Sequence, residues 1–238
     1  MRAELKKLAE LGVVKAGIGL YQNEYHNLDV YRHTLLCVEK LELMGTRDTL
    51  VAAGYFHDIG KPRLALTISR NGKVVTDDDG HILHQFKSGH ESLGLEMVLL
   101  LPEEIFTELG IDQKEVAEIV GCHYLPMRYF MTLRFVQGRN QLKAFYDKLK
   151  KALDRAPAKR EDIIDIFVAD CLAKGDIIKP HIPALKLLYG FLREKRDNFD
   201  ELASLWDIYE YHIKNNTAHL MTPEMFRLRP EQSRLLEI

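Results

Sequence analysis

Ten histidines in 238 residues are the unusual count in this chain, and their spacing decides what chemistry it could do. At helical periodicity, residues 29–44 present an apolar stripe of Val30, His33, Thr34, Cys37, Val38 and Leu41. Residues 47–57 present Leu50, Ala53, Gly54 and His57, and residues 88–101 present His90, Leu93, Gly94, Met97, Val98 and Leu101. Residues 112–124 present Val116, Ile119, Val120 and His123, and residues 161–175 present Ile163, Ile166, Phe167, Asp170, Cys171 and Lys174. Each of these stripes carries one imidazole or carboxylate among mostly apolar neighbours, where a polar group without a partner is strongly unfavourable. Taken singly, such a histidine is usually bonded to a backbone carbonyl, and such an aspartate to an arginine or a helix end. Taken together, they share one explanation. Imidazole and carboxylate are the usual ligands of borderline first-row ions, so the set points to a metal centre. Asp58, directly after His57, adds a second carboxylate at a helix end.

The elements that must position these groups are mostly helices. Thr46 is placed to cap 47–57. Ser88 with Glu91, and Asp112 with Glu115, have capping-box spacing at the starts of 88–101 and 112–124, and Pro102 stops the former. Helical patterns also cover 139–154, 161–175, 182–202 and about 203–215, and an irregular tail is expected from Thr222. The exception is 65–86, where Asn71-Gly72 is a strong hairpin signal inside LTISRNGKVV. The expectation is one all-α domain over 1–238, with eight or nine helices and a small β-hairpin insertion.

Composition narrows the classes further. Hydrophobic residues are 46% and charged residues 29%, and a net charge of −2 gives no lead toward nucleic acid or an anionic membrane. The longest apolar run, Met97 to Leu101, is too short to span a bilayer, and residues 1–10 do not read as a secretory signal. Three cysteines without a CxxC pair fit reduced thiols and a cytoplasmic home. No GxSxG, Walker-type loop or CxxC zinc pattern offers another chemistry.

The runs DVYRHTL, FHDIGKP, GHES, CHY and VADCLAKGD resemble the HD-domain metal-dependent phosphohydrolases, in particular the HD domain of bacterial tRNA nucleotidyltransferases. The resemblance covers roughly 20–180 and leaves 181–238 as further helices and tail. It implies an HD-domain helical bundle with divalent metal ions, two per chain, drawn from Fe, Mn, Co, Ni, Zn or Mg. His33, His57, Asp58 and Asp170 would hold the first ion; His90 and His123 would hold the second, with Asp58 bridging. Nucleotidyltransferases carry a catalytic head before this domain. Here about 20 residues precede the motifs, without a Gly-Ser and paired-Asp signature, so a free-standing HD domain that adds no nucleotides is expected.

Two such ions would clamp a phosphoryl group and supply a bridging hydroxide, so no protein nucleophile is required. Asp58 and Lys61 are the expected catalytic residues, with Lys61 on the substrate phosphate. His26 and Asp29 precede His33 by seven and four residues and could line the mouth of the site; capping is the alternative for Asp29. Arg128 is a candidate phosphate clamp. Lys174, His81 and His84 read as surface residues, and the basic run from Lys143 to Arg160 reads as a solvated face diluted by acids. The expected function is hydrolysis of phosphoesters of nucleotide type, of 2′,3′-cyclic phosphodiesterase or phosphatase kind. A 5′-nucleotidase or nucleotide triphosphohydrolase on the same scaffold is one alternative. A non-catalytic RNA-binding or partner module with a vestigial metal site is the other. The expected partner is a small phosphoester, with RNA left open, no membrane, and an oligomeric state that the sequence does not fix.

Overall fold

The computed structural model describes residues 3–23, 26–133, 135–193, 198–226 and 236. A 3-10 stretch, Leu5–Glu10, leads into α1 (Gly12–Lys15), α2 (Val30–Leu43), α3 (Asp48–Phe56) and α4 (Lys61–Leu64). Four short strands follow: β1 (Ala65–Thr67), β2 (Ser69–Arg70), β3 (Lys73–Val74) and β4 (His84–Phe86). Then come α5 (His90–Leu99), α6 (Glu104–Thr107), α7 (Gln113–Cys122), α8 (Leu125–Leu133), α9 (Gly138–Asp154) and α10 (Arg160–Leu172). A 3-10 stretch, Gly175–His181, connects to α11 (Ile182–Leu192) and α12 (Phe199–Lys214). The fold is all-α with a small β insertion.

Packing follows from how far round each helix is apolar. Every residue of α10 from Ile163 to Leu172 is buried, and α10 runs through the core against α2, α3, α7, α8, α9 and α11. In α2 the expected stripe, from Val30 to Leu41, is the buried face. It lies on α3 and α10, α3 lies on α7, and α7 lies on α5. The helices that carry or end at the five stripe residues are therefore consecutive neighbours around one core.

Of the four helix starts with a sequence signal, two match it and two differ. The Asp29 side chain accepts from the Arg32 amide at 2.7 Å and so caps α2, and Asp112 accepts from the Glu115 amide at 3.0 Å to cap α7. Thr46 instead donates to the Leu41 carbonyl at 2.9 Å, closing the previous turn, and Arg47 takes the cap position of α3. Ser88 caps nothing: α5 starts at His90 behind Gly89, whose φ of 98° is left-handed, and Glu91 is buried instead of reaching back. The single helix expected over 182–202 is two elements. α11 ends at Leu192, and α12 starts at Phe199, where Asn198 accepts from the Asp200 amide at 3.0 Å. Residues 194–197, inside the expected helix, lie outside the described residues.

The hairpin forms as expected between α4 and α5. β1 pairs antiparallel with β4 (Ala65 opposite Phe86) and β2 with β3 (Ser69 opposite Val74). Asn71 and Gly72 both take positive φ, 52° and 75°, which suits a tight two-residue turn. Helix α8 had no expectation from periodicity; Pro126 sits in its first turn, where the missing amide proton is tolerated. The basic face of α9 is tied by Lys143–Asp147 and Lys150–Asp154 pairs at 2.9 and 2.6 Å, as a solvated helix face would be. Of the tail, Pro223–Phe226 is a 3-10 turn, and residues 227–238, apart from Leu236, lie outside the described residues. Among the described residues, no helix is long and apolar enough to cross a membrane.

Candidate metal centre

Helix ends bring most of the polar groups together. His57 and His123 are the C-cap residues of α3 and α7, and His90 is the first residue of α5. His33 lies within α2, Asp170 within α10, and Asp58 in the turn from α3 to α4. All six are buried. The Asp58 carboxylate lies between two sets of histidines. Its Oδ2 is 3.2 Å from His57 Nε2 and 3.6 Å from His33 Nε2, and its Oδ1 is 3.6 Å from His90 Nε2 and 4.0 Å from His123 Nε2. Asp170 Oδ1 approaches His33 Nε2 at 3.0 Å.

Each ring is held from behind. Nδ1 of His57 donates to the Gly54 carbonyl at 2.8 Å, Nδ1 of His123 to the Val120 carbonyl at 2.6 Å, and Nδ1 of His33 to the Ala173 carbonyl at 3.3 Å. Nδ1 of His90 faces Glu91 Oε2 at 3.4 Å. A carbonyl oxygen can only accept, so the proton is on Nδ1 and the Nε2 lone pairs of the neutral rings converge on the carboxylate. Lone pairs facing a carboxylate repel unless a cation or a proton lies between them. His90 Nε2 and Asp58 Oδ2 are both buried without a hydrogen-bond partner. Lys61 Nζ stands 2.7 Å from that Oδ2 as an ion pair but gives its hydrogen bond to Gln22 Oε1, also at 2.7 Å. Two groups could hold a metal ion here, His33 with His57 and Asp58, and Asp58 with His90 and His123.

Electrostatics agree with a site for cations. Burial alone would raise the Asp58 carboxyl, but His57 and Lys61 outweigh it and keep it well below the usual carboxylate range. Burial likewise opposes ionisation of Asp170, and Lys174 and His33 overcome it. Burial drives His123 down to about 3, helped by His90 and His57, and it also lowers His33 and His90. In His57 the same burial is outweighed by the adjoining Asp58, and the pKa rises.

Above Asp58 opens a cavity of about 730 Å³, walled by His26, Lys61, Arg128 and Lys174 among others. His26 stands edge-on to His33 with ring centres 5.4 Å apart. Arg128 pairs with the buried Glu91, so its charge is tethered at the rim. Asp29 does not reach this cavity: its carboxylate is occupied by the Gly19 and Arg32 amides, at 2.9 and 2.7 Å, and capping is what it does. Lys174 belongs to the wall and is half-buried beside Asp170, contrary to a surface role, because the chain turns back toward the site directly after α10. The hairpin histidines are half-buried anchors: His81 stacks on Tyr21 at 3.7 Å and His84 Nδ1 donates to the Tyr21 carbonyl at 3.0 Å. Gln22, Glu91 and Tyr124 were not legible from periodicity; the GHES run contains Glu91, but its spacing from Ser88 reads as a cap.

A family model, HD domain, matches residues 25–175. Over 139 residues the chain is 34% identical to an A-adding tRNA nucleotidyltransferase of Deinococcus radiodurans, covering 54% of this chain and 28% of that protein. The chain thus spans well under a third of the length of this curated relative. No solved structure matches it significantly. The family match takes in all six converging side chains and well over half of the chain, so the protein belongs to the HD-domain family, within the superfamily of metal-dependent phosphohydrolases.

Proposed function

We propose that this chain is a metal-dependent phosphohydrolase acting on phosphoesters of nucleotide type, including 2′,3′-cyclic phosphodiesters and phosphomonoesters. One observation carries the reading: a buried carboxylate with a pair of imidazole lone pairs at each oxygen, on the floor of an open polar cavity, with a lysine beside it. His33, His57, Asp58 and Asp170 would hold one divalent ion, and Asp58, His90 and His123 a second. Bound there, the pair would supply an acidified water and neutralise charge on a phosphoryl group.

The protein's own groups do the rest. Lys61 presents a fixed positive charge at the cavity floor for a non-bridging phosphate oxygen, held in place by Gln22. Arg128 on the rim can exchange Glu91 for a phosphate, because carboxylate and phosphate can each accept two parallel hydrogen bonds from a guanidinium. Lys174 and His26 line the same space. Among the described residues no serine or cysteine is paired with a histidine in this cavity, which suits direct attack by water over a covalent intermediate. The relative acts on tRNA by name, and a nucleotide phosphoester is the part of such a molecule that a cavity of this size could take.

The test is a screen of chelator-stripped protein reloaded with Mn²⁺, Co²⁺, Ni²⁺, Zn²⁺ or Mg²⁺, offered cyclic nucleotides, nucleoside monophosphates and nucleoside triphosphates. Metal-dependent turnover of the first two classes, lost in Asp58→Ala, is expected. Turnover of triphosphates alone would replace the substrate assignment. No turnover with any ion, or full activity in Asp58→Ala, would end the hydrolase reading.

A further inference from the structure

Beside the polar cavity lies a second one of about 290 Å³, and the two share Asn23, His26, Tyr124 and Lys174 as lining residues. They differ in character. The first is walled by charged and amide side chains around Asp58. The second is walled by rings and soft apolar groups, with Phe130, Met131, Ala184 and Tyr209 among them. Its rings are themselves fixed: Phe130 is edge-on to Phe167 at 5.6 Å and to His181 at 6.0 Å, and Tyr209 packs on Trp206 at 5.2 Å. Methionine beside aromatic rings makes an adaptable wall for a flat group. The space lies at the lower end of small-ligand pockets, enough for a ring system and too short for a long alkyl chain.

We propose that the apolar cavity receives the base of a nucleotide whose phosphoryl group lies at Asp58, with the sugar at the shared neck. This rests on the hydrolase reading and narrows it to substrates that carry a planar heterocycle. Three observations favour a base over another apolar group. The neck is polar, as a ribose requires: Asn23 Oδ1 lies 3.3 Å from His26 Nδ1, and Lys174 stands beside it. The cavity lining includes the rings of Tyr124, Phe130, His181 and Tyr209, against which any base can pack whatever its identity. The continuity of the two cavities puts phosphate and ring binding on one molecule. The subsite therefore selects nucleotides over base-free phosphoesters and discriminates weakly among bases, because ring stacking outweighs edge-specific hydrogen bonding.

Trp206, the single tryptophan of the chain, is buried against Tyr209 and reports on this wall without any turnover. In calorimetry and Trp206 emission with Mg²⁺ present, adenosine and uridine monophosphates are expected to bind and to shift the emission. Inorganic phosphate and glycerol 2-phosphate are expected to bind more weakly and leave it unmoved. Ala184→Leu fills the cavity and Met131→Ser, at a half-exposed position, thins its wall. Each should weaken nucleotide binding by about tenfold or more, while hydrolysis of glycerol 2-phosphate stays within about twofold. If Ala184→Leu does not fold, Met131→Ser decides. Nucleotides binding no tighter than phosphate, or both variants binding them normally, would overturn the proposal. Nucleotide binding that shifts Trp206 without turnover of any phosphoester would remove the hydrolase reading and leave the base subsite standing.

Discussion

Each imidazole of the centre is aimed by what stands behind it, and the residue-level consequences differ accordingly. Asp58→Ala or His57→Ala removes a group from the middle of the cluster; metal content by elemental analysis and hydrolysis should both be lost. His90→Ala and His123→Ala should lower the metal content without emptying the site, and an unchanged ion count in both would return the centre to one ion. Glu91 touches both His90 and Arg128, so under the two-ion proposal Glu91→Gln should weaken binding at His90 and His123 by about 10–100-fold and spare binding at His33 and His57. Acid acts on the metal-free fold through the same rings. His123 stays neutral in the fold down to about 3, whereas in the unfolded chain it takes a proton near 6.5. Between those values the unfolded state binds the extra proton, so stability present above pH 6.5 falls as the pH is lowered toward 3. The depressed Asp58 and Asp170 carboxyls add to the loss at the acid end of that window, and the raised His57 opposes it above that. Melting of metal-free protein between pH 7 and pH 4 checks the direction; a melting temperature that rises on acidification would contradict it. Five of the six converging residues were legible from the sequence because each broke an apolar stripe, and Asp58 was legible because it directly follows His57. Glu91, Gln22 and Tyr124 were not, because their neighbours come from other segments and no periodicity marks them.

At the scale of elements, the helices were legible where one face is apolar and blurred where all faces are. α2 and α7 have clear stripes and clear caps, and both start where their aspartates predict. α11 is buried on every side, so its pattern runs on without a visible end, and the break before α12 was placed too late. Asp29 shows how an element supports the site without joining it. Asp29→Ala should cost about 0.5–2 kcal/mol by denaturant unfolding, from loss of the cap and of the Gly19 tether, with kinetic constants little changed. A large rise in KM would put Asp29 back in the substrate site. Gly60 sets a tighter limit. A Cβ there would stand 2.2 Å from the His90 carbonyl oxygen, so Gly60→Ala must push the turn that carries Asp58 away from α5. Destabilisation of about 1–3 kcal/mol is expected, with weaker metal binding. Gly121, where the nearest atom is the movable Leu95 Cδ1 at 2.5 Å, should be more tolerant.

At the scale of the molecule, a single apolar cluster extends from Leu5 to Leu236 and encloses the polar centre. Fold class, hairpin and family were legible because they depend on pattern and motif. The two adjoining cavities were not, because a cavity is what packing leaves between α8, α11, α12 and the hairpin side of the core, and no single segment encodes it. Emptying the centre leaves inward-facing lone pairs against a carboxylate, so the whole fold should be more stable with ions bound. Chelation should lower the melting temperature, and re-addition of Mn²⁺ or Zn²⁺ should restore it; indifference to both would argue against a resident ion.

His57 and His123 each terminate a helix, lie 5.3 Å apart ring to ring, and take their bearing from the carbonyl three residues back in their own last turn. The gap between the two halves of the centre is therefore gauged by how α3 beds on α7, and α7 on α5 through contacts such as Gly94 against Val120. A single methyl group slipped into that seam would act as a shim. It would change the spacing of the two halves from a distance while all six converging side chains stayed unaltered.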